Sequence, residues 1–98
     1  MTTDEATLGK RLVSVCIPSY DGSRFIGQTI KSVLDSTYAD LEIVVNDDGS
    51  TDTTREVMQA FGEERVRFLQ NEINLGPARN WNLAVAKASG ELVGLLNH

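Results

Sequence analysis

Apolar positions along the chain follow two periods in turn. Residues 12–17 are almost continuously apolar, with Val13, Val15 and Ile17 on one side and Ser14 and Cys16 on the other. A strand apolar on both faces is what a buried parallel sheet requires. Pro18 is expected to end it, because proline donates nothing to a ladder. Phe25, Ile26, Ile30, Val33 and Leu34 then recur at helical spacing, with Asp21 or Ser23 placed to cap that helix. Residues 41–45 repeat the buried-strand pattern. Residues 53–61 read as a second helix, with Thr53 and Glu56 at capping-box spacing and Gly62 as its stop. A short third strand is expected over 66–69. Pro77 suits the first turn of a third helix whose apolar face would carry Trp81, Ala84, Val85 and Ala88, with Gly90 as its stop. Residues 92–96 read as a fourth strand.

Four strands alternating with three helices define an α/β fold: a parallel, Rossmann-like sheet with helices on both faces and right-handed crossovers. Residues 1–11 are polar without a period and read as a flexible leader. No repeat, linker or low-complexity tract interrupts residues 12–98. An apolar strand running up to Asn97 and His98 predicts a partial domain. It also predicts an apolar sheet edge carrying Leu92, Val93, Leu95 and Leu96, through which copies of the chain would self-associate.

Composition narrows the partners. The 98 residues are 41% apolar, enough for a core, and carry a formal charge of −5 with scattered basic residues. Neutralising a nucleic-acid backbone takes clustered Lys and Arg, which argues against that partner. An anionic small ligand would need a local device such as a helix N-terminus or a metal ion. Cys16, the lone cysteine, lies in the apolar run VSVCIP and reads as a core thiol; with a single histidine it makes no zinc pattern. The first residues lack the apolar segment of a signal peptide, and no apolar run reaches membrane-spanning length, so the expected compartment is the cytoplasm.

Ligands of open parallel sheets sit beyond the carboxyl ends of the strands. Four polar segments reach that edge: PSYDGS, NDDGSTD, NLGPARN and LLNH. A turn needs one Asp beside its Gly, not the pair Asp47–Asp48. Neighbours at a strand end point to opposite faces, so the two carboxylates are expected to have separate jobs. One would face a ligand and accept an N–H from a heterocycle; the other would brace the loop or cap the next helix. Gly49 permits a backbone geometry closed to other residues. Tyr20, beside rigid Pro18, offers a flat face on which a base can stack. Arg79, a cation in the first turn of a helix, opposes the helix dipole and makes sense where an anion is expected. Plain structural roles compete at each position: an acidic turn, a half-buried loop tyrosine, Trp81 as part of the apolar helix face, Arg79 as a solvated charge. The joint arrival of the segments at one edge favours a ligand site.

These residues resemble the opening of the family 2 glycosyltransferases, which have the GT-A fold. Pro18, Ser19, Tyr20 and Asp21 match the family's P-[TS]-Y-[ND]. Thr37 and Tyr38 match Q-T-Y, with Ser36 in place of Gln, and residues 47–52 match D-D-G-S-T-D without change. NEINLGPARNWNLAVAKASGEL resembles the N-x-G-x-x-x-A-R-N segment followed by A-x-G-E, so the likeness covers about residues 13–98. It implies the N-terminal half of a GT-A fold, binding a nucleotide-diphosphate sugar, often a UDP-sugar, for transfer to an acceptor hydroxyl. It also implies work on cell-envelope polysaccharide by a cytoplasmic parent, peripheral at the membrane. By the same resemblance Tyr20 stacks on the base, Asp48 accepts the base N–H, Pro18 and Ser19 shape the loop around the nucleoside, and Arg79 lies near the base or diphosphate. Asp21, Asp47 and Gly49 complete the expected nucleotide-binding set.

The complete protein is expected to use a divalent metal, Mn or Mg. Asn97 stands where the family's metal-binding D-x-D has its first Asp, and His98 at the middle position. The metal-binding Asp and the general base would come later. A metal stabilises the departing diphosphate and a carboxylate deprotonates the acceptor. The 98-residue segment is therefore expected to bind nucleotide without metal and to be inactive alone. Rival readings fit less well. A phosphoacceptor receiver domain needs an Asp after the third strand, where Leu69 and Gln70 stand. A sugar nucleotidyltransferase needs a Gly-rich basic loop after the first strand, and PSYDGSRF has one Gly and one Arg. A noncatalytic or degenerate nucleotide-binding module remains open, given Asn97 in place of Asp.

Overall fold

The computed structural model describes residues 12–35, 40–90 and 92–95, the last four by their backbone alone. Seven elements alternate: β1 (Val13–Ser19), α1 (Ile26–Leu34), β2 (Leu41–Asp47), α2 (Thr54–Phe61), β3 (Val66–Gln70), α3 (Pro77–Ala86) and β4 (Leu92–Leu95). All the strands pair in parallel, in the order β3-β2-β1-β4. The expected leader, the motif at Ser36, Thr37 and Tyr38, and the positions Leu96, Asn97 and His98 lie outside the described residues.

Two layers of helix cover the sheet, as the continuous apolar runs require. On one face Val13, Val15 and Ile17 of β1 and Leu41, Ile43 and Val45 of β2 pack with α1 and α2. Ile17, Ile26, Ile30, Ile43 and Val45 are fully buried there, joined by Met58. Burying one such side chain contributes about 1.5–3 kcal/mol. On the other face Cys16 and Val44 meet Ala84 of α3. The small Ala84 lets the helix approach until the Cys16 thiol donates to the Ala84 carbonyl at 3.4 Å. Burial, with the negative charge of Glu42 behind it, raises the pKa of this thiol, so Cys16 is the unreactive core residue expected.

The structure departs from the sequence pattern in four places. First, β1 runs through Pro18 to Ser19, with Pro18 opposite Asn46. The Ser19 carbonyl accepts from Asp48 N–H on the β2 side. Backbone groups alternate along a strand, so the missing Pro18 donor faces the β4 side, beyond the last pair among the described residues, Cys16 with Leu95. Second, no side chain caps α1 or α2 at the residue expected. Asp52, one residue before Thr53, takes the Thr54 N–H at 2.9 Å and the Thr54 hydroxyl at 2.5 Å. Third, α3 is turned by about one residue. Asn80 and Ala84 are buried, whereas Val85 is exposed and Trp81 only half-buried. Fourth, α3 ends at Ala86, before Gly90. Gly90 is required for another reason: a Cβ there would lie 2.4 Å from the Leu12 carbonyl oxygen. Gly62 does end α2 as expected, in the left-handed conformation.

A polar latch closes the amino end of the sheet. Glu42, at the start of β2, accepts from the Ser14 hydroxyl and the Ser89 N–H, both at 2.6 Å, and from Arg67 at 3.2 Å. Arg67 also donates to the Lys87 carbonyl at 2.9 Å, and Gly90 N–H donates to the Ser14 hydroxyl. Desolvation pushes the Glu42 pKa up, but these donors outweigh it and hold the carboxyl below its ordinary range.

Candidate functional site

The carboxyl end of the sheet is built by three loops. Residues 20–25 leave β1, residues 48–53 leave β2, and residues 71–76 leave β3. At the end of β2 the strand alternation sends Asp47 and Asp48 to opposite faces, and both are buried. Asp47 binds its own loop and β3. Its Oδ2 accepts Ser50 N–H at 2.7 Å and Gln70 Nε2 at 2.9 Å, and its Oδ1 accepts the Ser50 hydroxyl at 2.5 Å. Asp48 serves the loop before α3. Its Oδ1 accepts Leu75 N–H at 2.7 Å and Asn71 Nδ2 at 3.0 Å, and its Oδ2 accepts Gly76 N–H at 2.9 Å. Separate jobs for the pair are what the geometry shows.

Gly49 lets these loops meet. It has φ +74°, and a Cβ on it would come within 3.1 Å of the Ile73 carbonyl carbon and 3.2 Å of Asn74 N. Only glycine combines that conformation with so close an approach. Beneath the loops lies a buried amide cluster. Asn46 Nδ2 donates to Asn80 Oδ1 at 2.7 Å and to Asn71 Oδ1 at 3.2 Å, and Asn80 Nδ2 donates to the Asn46 carbonyl at 2.9 Å. This cluster seats the start of α3 against the ends of β1 and β2.

Above it opens a cavity of about 220 Å³, lined by Pro18, Ser19, Tyr20, Asp48, Asn74, Pro77, Asn80 and Trp81. The structure thus brings together four of the candidate residues: Pro18, Ser19, Tyr20 and Asp48. Tyr20, 51% exposed, is free to offer a ring face. The other candidates lie outside this cavity. Asp21 and Asp47 hold loops, Gly49 borders a separate polar groove with Arg55 and Gln70, and Arg79 is exposed on α3. Asn74 and Asn80 are lining residues that the sequence pattern did not single out, and Trp81, expected on the apolar helix face, lines the cavity as well. A signal for Asn80 was present: Asn80, Ala84 and Ala88 share a spacing of four, one step from the face centred on Trp81.

The chemistry on offer is recognition of a flat, N–H-bearing group. The cavity lining combines apolar Pro18, Tyr20, Pro77 and Trp81 with Asp48 and the amides of Asn74 and Asn80. A carboxylate oxygen accepts two hydrogen bonds. Asp48 Oδ1 has two protein donors and Oδ2 has one, so Oδ2 keeps a free acceptor position among the described residues. No group of three or more His, Cys, Asp and Glu among the described residues is placed to hold a metal ion. No helix among them is long and apolar enough to cross a membrane.

A parallel α/β sheet with a mixed aromatic and acidic cavity at its carboxyl edge defines a ligand-binding protein of the doubly wound class. Residues 14–98 match Glycosyl transferase family 2, and the chain belongs to that family. It is 41% identical over 86 residues to the UDP-Glc:alpha-D-GlcNAc-diphosphoundecaprenol beta-1,3-glucosyltransferase WfgD of Escherichia coli, covering 88% of this chain and 34% of that protein. Among solved structures, the mannosyltransferase PcManGT of Pyrobaculum calidifontis, in complex with GDP-Man and Mn2+, superposes with a TM-score of 0.81 at 26% identity, over 89% of this chain and 27% of that one. S. aureus TarS 1-349 in complex with UDP-GlcNAc gives 0.79 at 29% identity, over 87% and 26%. The chain spans about a third of the length of the curated relatives it matches.

Proposed function

We propose that the chain is the nucleotide-diphosphate-sugar-binding segment of a glycosyltransferase that moves a sugar, from a UDP-sugar, to an acceptor hydroxyl. The observation that carries this is the cavity that Tyr20 and Asp48, far apart in sequence, both line. Tyr20 supplies the stacking face. Asp48 Oδ2 supplies the acceptor for a base N–H. Pro18, Ser19 and the Pro77–Trp81 wall bound the nucleoside. The relatives support the ligand class, since they include chains bound to UDP-GlcNAc and to GDP-Man. The manganese named with the second of these supports a metal in the complete protein, held by residues beyond those described.

Calorimetric titration with UDP, with and without manganese, tests the reading. Binding that weakens in Tyr20→Ala and in Asp48→Asn supports it. Undiminished binding in both variants, or none in the unmodified chain, refutes it. The inactivity of the segment alone is tested separately with a panel of nucleotide sugars and metal, where clear turnover would refute it. The edge position of β4 supports pairing with a second copy; a strictly monomeric mass by light scattering at high concentration would count against that.

A further inference from the structure

We infer that Ser50 is a positioning residue for Tyr20, anchored by Asp47; the inference rests on the nucleoside reading of the cavity. Tyr20 is half exposed, so packing does little to fix its ring, and the backbone that follows must do so. That backbone is held in an unusual state. Asp21 has φ +49° and is the one non-glycine residue with positive φ among the described residues. Left-handed geometry is unfavourable for a residue with a Cβ and persists where the surroundings impose it.

The surroundings here are the acidic loop after β2. Asp21 N–H donates to the Ser50 hydroxyl oxygen at 2.7 Å, and the Asp21 carboxylate accepts Thr51 N–H at 2.9 Å. Ser50 has one hydroxyl proton and gives it to Asp47 Oδ1 at 2.5 Å, which turns its lone pairs toward Asp21. Asp47 is fully buried and is fixed in turn by Ser50 N–H and by Gln70 of β3. A continuous relay therefore runs from β3 through Asp47 and Ser50 to the peptide that carries Tyr20. Asp47 does not line the cavity. Its carboxylate orients Ser50, and Ser50 orients the tyrosine loop.

Ser50→Ala removes the relay, and Ser50→Thr keeps the hydroxyl. Two measurements on the 98-residue chain test the inference. In the ligand-free chain, amide hydrogen exchange at Asp21 is expected to become about tenfold faster in Ser50→Ala and to stay protected in Ser50→Thr. In titrations with UDP, Ser50→Ala is expected to weaken binding about five- to tenfold, with recovery in Ser50→Thr. On a Tyr20→Ala background the same Ser50→Ala change is expected to add less than about twofold. Unchanged exchange at Asp21 in Ser50→Ala overturns the inference. So does a loss of UDP affinity that multiplies in full on the Tyr20→Ala background. If Asp21 depends on Ser50 but the unmodified chain does not bind UDP, the nucleoside reading is what fails, and the relay loses its assigned purpose.

Discussion

The paired strands β1 and β2 end in a buried carboxylate network at each end, and the two networks are built differently. At the amino end Glu42 is met by Arg67, an exposed cation that balances its charge. Its donors come from β1, β3 and the turn after α3, and they knit those elements together. At the carboxyl end Asp47 and Asp48 are at least as deeply buried, yet among the described residues no Lys or Arg pairs with either. Their donors are backbone N–H groups, a serine and side-chain amides. The latch carries a cation against its carboxylate, while the rim carries the unbalanced charge of Asp47 and Asp48 beside a cavity that Asp48 lines. An anionic diphosphate would be repelled from such a rim, whereas a neutral base carrying an N–H is attracted. On the proposed reading, a nucleotide would bind with its base toward Asp48 and its phosphates away from the acidic pair.

The largest effect should come from breaking the latch. Glu42→Ala strips the acceptor from three donors and leaves Arg67 beside an apolar gap. A loss of about 2–3 kcal/mol in urea denaturation is expected, since hydrogen bonds to a charged group are among the stronger ones. UDP affinity of the folded fraction should not change. Next comes Asp48→Asn, whose amide must turn an N–H toward one of the backbone donors Leu75 and Gly76. UDP affinity should fall more than about tenfold, with a smaller loss of stability of about 1–2 kcal/mol. If Glu42→Ala weakened UDP binding as much as Asp48→Asn, the division between latch and rim would be broken.

Much of this architecture was legible in the sequence, and the failures have common causes. Continuous apolar runs gave the parallel sheet, and the 2.0 and 3.6 periods gave the order of elements. Asp47 and Asp48 were assigned separate faces because alternation is a local property of a strand. What depended on hydrogen bonds across loops was not legible. Asp52 displaces Thr53 as the cap because its carboxylate also meets Ser23 N–H from another loop. Asp21 was read as a cap or a ligand residue, and its partners Ser50 and Thr51 lie 29 and 30 positions away. The inward face of α3 was misjudged by one residue because apolar Trp81 and Val85 outweighed polar Asn80, whose burial is explained by its partners Asn46, Asn71 and the Ser19 carbonyl. Arg79 was tied to an anion by its place near a helix start, yet it is exposed and outside the cavity.

Smaller effects sharpen the contrast within the rim itself. Tyr20→Ala removes a side chain 51% exposed, so stability should change by less than about 0.5 kcal/mol. UDP affinity should nonetheless fall about tenfold, because stacking on an aromatic ring contributes about 1–3 kcal/mol per base. Tyr20 would then be a residue of function without a share in the fold, the reverse of Glu42. The smallest effect belongs to Asp52, which ties the tyrosine loop to the start of α2. Desolvation raises its pKa, but the Thr54 hydroxyl and N–H and the Ser23 N–H outweigh that and bring it from 3.8 down to about 2. A carboxyl whose pKa is lower in the folded chain stabilises the fold above its unfolded pKa. That contribution is lost as pH falls from 3.8 toward about 2. Asp52 is only half-buried, so solvent screens the interaction and keeps the effect small. Urea midpoints measured between these two pH values should decline in the unmodified chain and decline less in Asp52→Asn. Equal slopes would remove Asp52 from the set of residues that hold the rim in place.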